Sequence, residues 1–274
     1  MMTAILGDKA EARELLALMH DQPRHWPTVA AAELLAVADL DRARSAAVKR
    51  AAGAPLEYAA GRAAFRHLVL AVDERVLIPR PETEVLVDIV LDLTKDQRGG
   101  IAVDVGTGSG AIALSLAAEG TFGTVIATDV SLDALAVARQ NDGRLAAGRQ
   151  AGVDFRHGSL LGPVHERGLR AIVSNPPYIA YDEAGDLPAS VRDWEPAVAL
   201  FSGEGGMAAT AALLRMSAAA LAPRGIIALE VDVRRAAIVA EHASSLAVFE
   251  DVRVLLDLTG RERFVVARRR ETTG

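Results

Sequence analysis

The apolar run Ile101–Val105 leads without a break into Gly106-Thr107-Gly108-Ser109-Gly110, and residues 111–118 then carry a helical pattern. A strand, a glycine loop and a helix in that order point to a parallel α/β sheet, because a parallel neighbour is reached only through a crossover. The glycines let backbone N–H groups at a helix N-terminus approach a ligand closely. The next strand, 124–128, ends at Asp129, where a carboxylate can accept both hydroxyls of an adenosine ribose. This unit has two readings. Gly106, Gly108 and Ala111 satisfy the GxGxxA form of the dinucleotide fingerprint, as in a nicotinamide dehydrogenase. The tight spacing completed by Gly110, together with a fourth strand that offers nothing for hydride transfer, favours S-adenosylmethionine.

That fourth strand, Leu169–Ser174, runs into Asn175-Pro176-Pro177-Tyr178. Proline has no N–H and cannot continue a ladder, so the strand stops there. The first proline also holds Asn175 extended. The product is a rigid shelf at a strand's C-terminal end, the edge where open α/β sheets bind ligands. The Asn175 side-chain oxygen and the Pro176 carbonyl can accept both hydrogens of a planar –NH2 group while Tyr178 packs on its face. A primary amide or an exocyclic base amine suits such a seat. Asp182 and Glu183 follow closely, but acids in a loop are mostly solvated, and neither is expected to be a general base.

Strands and helices alternate around these two features. Helix Leu132–Leu145 follows Asp129, and strand 153–156 carries Gly158-Ser159-Leu160 at its tip, with Leu160 placed to cover an adenine. A long polar loop, 179–206, contains Trp194-Glu195-Pro196; a loop of that length usually forms a lid or a binding surface. Helix 207–221, strand 226–231, helix 234–246 and strands Phe249–Leu256 and 263–268 complete the sheet. The first third differs. Residues 8–22 read as an amphipathic helix, Thr28 can cap a second helix to Leu40, and Asp41 a third to Arg50. Segments 64–72 and 75–78, with Asp73-Glu74 between them, read as a β-hairpin. A helix then begins within Pro79-Arg80-Pro81-Glu82-Thr83-Glu84, with Glu82 or Thr83 near its cap; Arg80 and Glu82 are expected to fix the joint or shape the cofactor pocket. The domain reading is a helical substrate-docking segment over 1–63, a hairpin joint over 64–79, and a cofactor domain over 80–274.

Composition removes several function classes. The chain has no cysteine, so disulfides, thiolate nucleophiles and thiolate metal sites are out of reach. Its six histidines show no ligand spacing, and no metal is expected. A formal charge of −6 argues against extended nucleic-acid binding, which draws its affinity from phosphate neutralisation. The N-terminus carries Asp8, Glu11 and Glu14 in place of a basic and apolar signal segment. Residues 207–222, alanine-rich and interrupted by Arg215, read as a core helix and not as a membrane span. A cytoplasmic monomer without membrane contact is the expectation.

Five stretches occur together in order: Gly53-Ala54-Pro55-Leu56-Glu57-Tyr58; Leu77-Ile78-Pro79-Arg80-Pro81-Glu82-Thr83-Glu84; Asp104-Val105-Gly106-Thr107-Gly108-Ser109-Gly110-Ala111-Ile112-Ala113-Leu114; Ser174-Asn175-Pro176-Pro177-Tyr178-Ile179; and Gly260-Arg261-Glu262-Arg263-Phe264. From about residue 50 onward the chain resembles the N5-glutamine methyltransferases that modify peptide chain release factors. The resemblance implies a seven-stranded Rossmann-like class I methyltransferase sheet with its last strand antiparallel, preceded by a small helical N-terminal domain. It implies S-adenosylmethionine as methyl donor, the glutamine of a Gly-Gly-Gln loop as acceptor, and release factors as partners in translation termination. Carried onto this sequence, Gly106, Thr107, Gly108, Ser109, Gly110, Asp129, Leu160 and Asn175 hold the cofactor. Asn175, Pro176 and Tyr178 are the catalytic set, and Pro177 joins them in binding substrate. Departures from the family pattern are a short N-terminal segment, Val231, Asp232 and Arg235 after Glu230, and Ser159 where an acidic residue is common. A ribosomal-protein glutamine methyltransferase, an adenine N6 methyltransferase and an inactive cofactor-binding module are the competing readings; the adenine enzyme would want a basic groove and a flipped base.

Overall fold

The computed structural model describes residues 1–22, 26–29, 37–145 and 149–271. Its centre is a seven-stranded sheet of β3 (Ile101–Val105), β4 (Thr124–Asp129), β5 (Gly152–His157), β6 (Leu169–Ser174), β7 (Leu221–Glu230), β8 (Phe249–Leu256) and β9 (Glu262–Arg269), after a two-stranded hairpin of β1 (Arg62–Phe65) and β2 (Leu68–Ala71). The spatial order is β5-β4-β3-β6-β7-β9-β8. The first five strands in that order are parallel neighbours, and β9 runs antiparallel between β7 and β8. The chain proceeds from β3 outward to β4 and β5, then returns to place β6 on the other side of β3. That reversal opens a crevice at the C-terminal ends of β3 and β6, the topological switch point where such sheets bind ligands. The glycine loop follows β3 and the proline shelf follows β6, so one reversal of strand order brings both motifs to one crevice.

Alternation along the strands divides the core. Ala102, Val125, Ala127, Ala171, Val173, Ile226 and Ala228 face helices α6 (Pro81–Thr94), α7 (Ala111–Glu119) and α8 (Leu132–Leu145), together with the hairpin. Val103, Val105, Ile126, Ile172, Ile227 and Leu229 face helices Ala208–Ala220 and Ala236–Ser245. With both faces covered, the central parallel strands β3, β4, β6 and β7 are mainly apolar, as such sheets require, whereas the edge strand β5 alternates and stays partly exposed. Leu86, Leu114 and Leu116 are fully buried on the first face, each worth on the order of 2–3 kcal/mol of transfer free energy.

The N-terminal segment builds its own small core. Helices α1 (Met2–Leu6), α2 (Lys9–Met19), α3 (Trp26–Val29), α4 (Val37–Ala51) and α5 (Leu56–Ala60) precede the hairpin. Met2, Leu15, Met19, Ala43, Ala46 and Ala47 pack together within it. Asp8 caps α2 by accepting from Ala10 N and Glu11 N. The expected helix from Thr28 to Leu40 lies largely outside the described residues. Asp41 begins no third helix: it sits inside α4, whose backbone runs through it.

Two further expectations are corrected. The hairpin turns at Arg66-His67 and not at Asp73-Glu74, since Phe65 pairs with Leu68. Arg66 holds a left-handed φ of 53° there; its backbone N–H donates to Glu84 and its guanidinium pairs with Asp88 and Glu119. Residues 75–78 form no strand. Asp73 accepts from Arg75 N and ends β2 in a local turn, after which Val76 and Ile78 bury individually. At α6 the cap position is Arg80, with Pro81 in the first turn. Proline suits that place because its missing N–H would have had no helical acceptor. Thr83 is therefore inside the first turn.

Asn141 joins these parts. From α8 its Oδ1 accepts from Ala71 N at 2.7 Å, and its Nδ2 donates to Ala71 O at 3.0 Å and to Ser109 O at 2.9 Å. One buried amide thus continues the edge of β2 and holds the glycine loop. Asn141→Ala leaves three backbone groups without these partners and is expected to cost about 2–4 kcal/mol. Urea unfolding measures it, and a loss below about 0.5 kcal/mol would show that the amide carries no load.

Candidate active site

A cleft of about 430 Å³ opens at the switch point. Val105, Gly106 and Gly108 form its floor from β3 and the loop, Asp129 to Ser131 one wall, and Gly158 to Leu160 the next. Ser174, Asn175, Pro176 and Pro177 enter from β6, and the lid contributes Pro196, Val198, Ala199 and residues 201–203. The joint adds Arg75, Val76 and Leu77. The sequence reading expects a lid or binding surface from the length of this loop, but it assigns none of these joint and lid residues to the site.

The loop is held from below. Asp104, fully buried on β3, accepts from the Thr107 hydroxyl at 2.6 Å and from Ala113 N at 3.0 Å. Thr107 and Ser109 are buried supports and Gly110 packs against Leu114 and Ala138, so of the five expected loop residues only Gly106 and Gly108 line the cleft. Both have positive φ, and a Cβ on either would meet no protein atom within 4 Å; it would project into cleft space. This is the cradle that a close-lying cofactor needs. Asp129 accepts from Gly108 N at 2.9 Å and Ser131 N at 2.8 Å. A carboxylate offers about four acceptor positions, so these bonds leave room for ribose hydroxyls. Leu160 reaches the cleft through a left-handed backbone (φ 50°) whose carbonyl accepts from the Thr128 hydroxyl at 2.9 Å.

On the shelf the structure separates residues that the sequence grouped. Asn175, Pro176 and Pro177 line the cleft, whereas Tyr178 does not. Its ring lies beneath the Arg263 guanidinium at 5.4 Å, and Arg263 donates to its hydroxyl at 3.3 Å. Burial pushes that phenol upward from its ordinary value. Asn175 Nδ2 donates to Thr83 Oγ1 at 3.2 Å, and the Thr83 hydroxyl donates to Glu230 Oε2 at 2.7 Å. Glu230 is fully buried at the end of β7, and burial pushes its carboxyl up to about 7 against the pull of Thr83 and Arg263. An acidic residue closing the apolar run Ile226–Leu229 was the sequence signal for it.

Ion pairs fasten the lid. Glu183 accepts from Ala180 N and pairs with Arg234 and Arg235, so it is occupied structurally and is absent from the cleft. Arg235, nearly buried, also donates to Gly205 O at 2.7 Å. Gly206 presses on the shelf: a Cβ there would stand 2.2 Å from the Tyr178 carbonyl, at a φ of +86°. Asp232 and Arg235, departures from the family pattern, are thus the lower half of the lid's anchor. The upper half is Arg80, whose guanidinium pairs with the buried Glu195 at 2.5 Å and ties the joint to the lid.

Comparisons place this geometry among known proteins. Residues 82–188 match the model of the methyltransferase small domain. A Pyrococcus furiosus methyltransferase structure superposes with a TM-score of 0.56 at 19% identity, covering 74% of this chain and 90% of its own. The T. thermophilus 16S rRNA N2 G1207 methyltransferase superposes with a TM-score of 0.51 at 18% identity, covering 76% and 50%. The fold is that of the class I methyltransferases. A release factor glutamine methyltransferase of Moorella thermoacetica is 41% identical over 87% of this chain and 83% of its own. That of Deinococcus radiodurans is 40% identical over 83% and 79%. The chain belongs to the release factor glutamine methyltransferase family.

The buried loop support yields a pH prediction. Burial pushes the Asp104 carboxyl from 3.8 up to about 7, with the bonds from Thr107 and Ala113 opposing. Folding thereby favours the protonated form. Its contribution is complete below pH 3.8 and is lost as pH rises to about 7. Asp104→Asn, neutral throughout, should flatten the decline in stability across that window, read by urea unfolding at several pH values. A decline unchanged from the parent would show the carboxyl to be ionised across the window.

Proposed function

We propose that this chain methylates the side-chain amide nitrogen of the glutamine in the Gly-Gly-Gln loop of peptide chain release factors, with S-adenosylmethionine as donor. The carrying observation is the shelf at the switch point, with Asn175 and Pro176 facing the cleft beside the Gly106–Gly108 cradle. The names of the relatives support the choice of a release factor over a ribosomal protein. S-adenosylmethionine suits the residues present: Gly106 and Gly108 beneath it, Asp129 toward the ribose, Leu160 and Val130 beside the adenine. When bound it supplies an electrophilic methyl on a sulfonium.

The chain's own work is to make a poor nucleophile attack. An amide lone pair is delocalised into its carbonyl. Asn175 Oδ1 and the Pro176 carbonyl accept the two N–H hydrogens, aim the nitrogen and stabilise the positive charge that grows on it. Pro177 and the lid residues Val198 and Phe201 exclude water. Tyr178, beneath Arg263, stiffens the shelf from behind. The site asks for no metal, and the reaction is expected in the cytoplasm; no helix among the described residues is long and apolar enough to cross a membrane.

Asn175→Ala is expected to lower single-turnover methylation roughly 100- to 1000-fold, the scale for one preorganised polar contact. Cofactor affinity should stay near that of the parent. Asp129→Ala should show the reverse pattern, weakening cofactor binding by about 1.5–3 kcal/mol. A folded, cofactor-saturated Asn175→Ala protein reacting at the parent rate would return the shelf to being a rigid turn.

Residues 1–63 serve as the docking element. Support comes from the small apolar core that Met2, Leu15, Met19, Ala43, Ala46 and Ala47 form within them, and from the cleft lining, to which none of their described residues contributes. Removing them should raise KM for whole release factor while leaving KM for a Gly-Gly-Gln peptide unchanged. Equal KM values for whole factor with and without the segment would remove the docking role.

A further inference from the structure

We propose that Thr83 and Glu230 are positioning residues that fix which end of the Asn175 amide faces the substrate. This rests on the shelf reading above and adds to it a reason why the amide points one way. The oxygen and nitrogen of an asparagine amide have nearly the same shape, so packing alone cannot choose between the two orientations. The hydrogen-bond network has to choose.

Here the choice follows from counting protons. Glu230 ends β7 with no solvent exposure, and Thr83, 4% exposed, comes from the first turn of α6. The threonine hydroxyl has one hydrogen, and it goes to Glu230 Oε2 at 2.7 Å. Toward Asn175, at 3.2 Å, Thr83 Oγ1 can therefore only accept. Asn175 must give it an N–H, which turns Oδ1 the other way as a free acceptor. Reversed, the amide would present its own N–H to the substrate –NH2, donor against donor.

Burying Glu230 is costly in a way that packing does not repay. Among the described residues its Oε1 has no hydrogen-bond partner, and the Arg263 Nε stands 4.0 Å away, also without one. A leucine at the end of the apolar run Ile226–Leu229 would bury at lower cost. A carboxylate there has a use if Thr83 must be kept from donating toward Asn175. Three positions distant in sequence, on α6, β6 and β7, converge to make that chain.

The test is a double-mutant cycle at about pH 8, above the value to which burial raises Glu230, with cofactor affinity measured in parallel. Thr83→Val keeps shape and removes the hydroxyl; Thr83→Ala removes it without adding a methyl, and either serves if the other folds poorly. Turnover should fall about tenfold, the factor that one ordinary hydrogen bond supplies, with cofactor Kd and KM for release factor unchanged. Thr83→Ser should restore turnover. Glu230→Gln, whose amide can donate to Thr83 and reverse the hydroxyl, should reproduce the loss. In the Asn175→Ala background Thr83→Val should have no further effect, since its influence passes through the missing amide. An equal loss from Thr83→Val in both backgrounds, or failure of serine to restore the rate, would make Thr83 a packing residue and overturn the proposal. A parent-like rate for Asn175→Ala alone would instead overturn the shelf reading, so the two failures are separable.

Discussion

The structure depends on where β6 stops. β6 lies between β3 and β7 with every residue buried, and its last residue, Ser174, stands beside Val105 at the end of β3 and Leu229 near the end of β7. Two successive prolines after Asn175 keep it from going further, because neither can donate to a neighbouring carbonyl. The chain leaves the sheet at the switch point, beside the glycine loop that follows β3. The two motifs therefore line one cleft.

The lid converts this open edge into an enclosed one. Arg235, nearly buried below β7, holds the lid's two ends through Glu183 and Gly205 O, and the half-exposed Arg80 holds the buried Glu195 within it to the joint. Such pairs carry a desolvation cost and set geometry more than they add stability. Gly206, closed against the Tyr178 carbonyl, makes the lid part of the shelf's rear support. Tyr178 therefore belongs to the scaffold that keeps Asn175 and Pro176 still. That explains a tyrosine at the end of the motif without giving its ring to the substrate.

Much of this was legible in the sequence for identifiable reasons. The central strands are mainly apolar runs bounded by glycine, proline and aspartate, so their order of occurrence and the two motifs could be read directly. Phe249–Leu256 was placed to the residue, and the antiparallel last strand came from the family resemblance. The hairpin turn was misplaced because Asp73-Glu74 has turn chemistry, whereas the real turn puts Arg66 into a left-handed conformation held by its bonds to Glu84 and its ion pairs with Asp88 and Glu119. Those partners are tertiary and invisible to local pattern. Thr83 looked like a cap for the same reason: its role is set by Glu230, a residue on another element. The site's first layer was thus written in local motifs, and its supports were written in contacts between α6, β6, β7 and the lid.

The shelf and the cradle converge on a cleft that delivers a methyl group to an amide nitrogen of glutamine. To test this, the full chain is incubated with methyl-labelled S-adenosylmethionine and purified release factor, and the label is mapped by mass spectrometry. Label is expected on one glutamine side-chain amide, in the Gly-Gly-Gln loop. Label on any other residue, or transfer to nucleic acid with none to the factor, would contradict it.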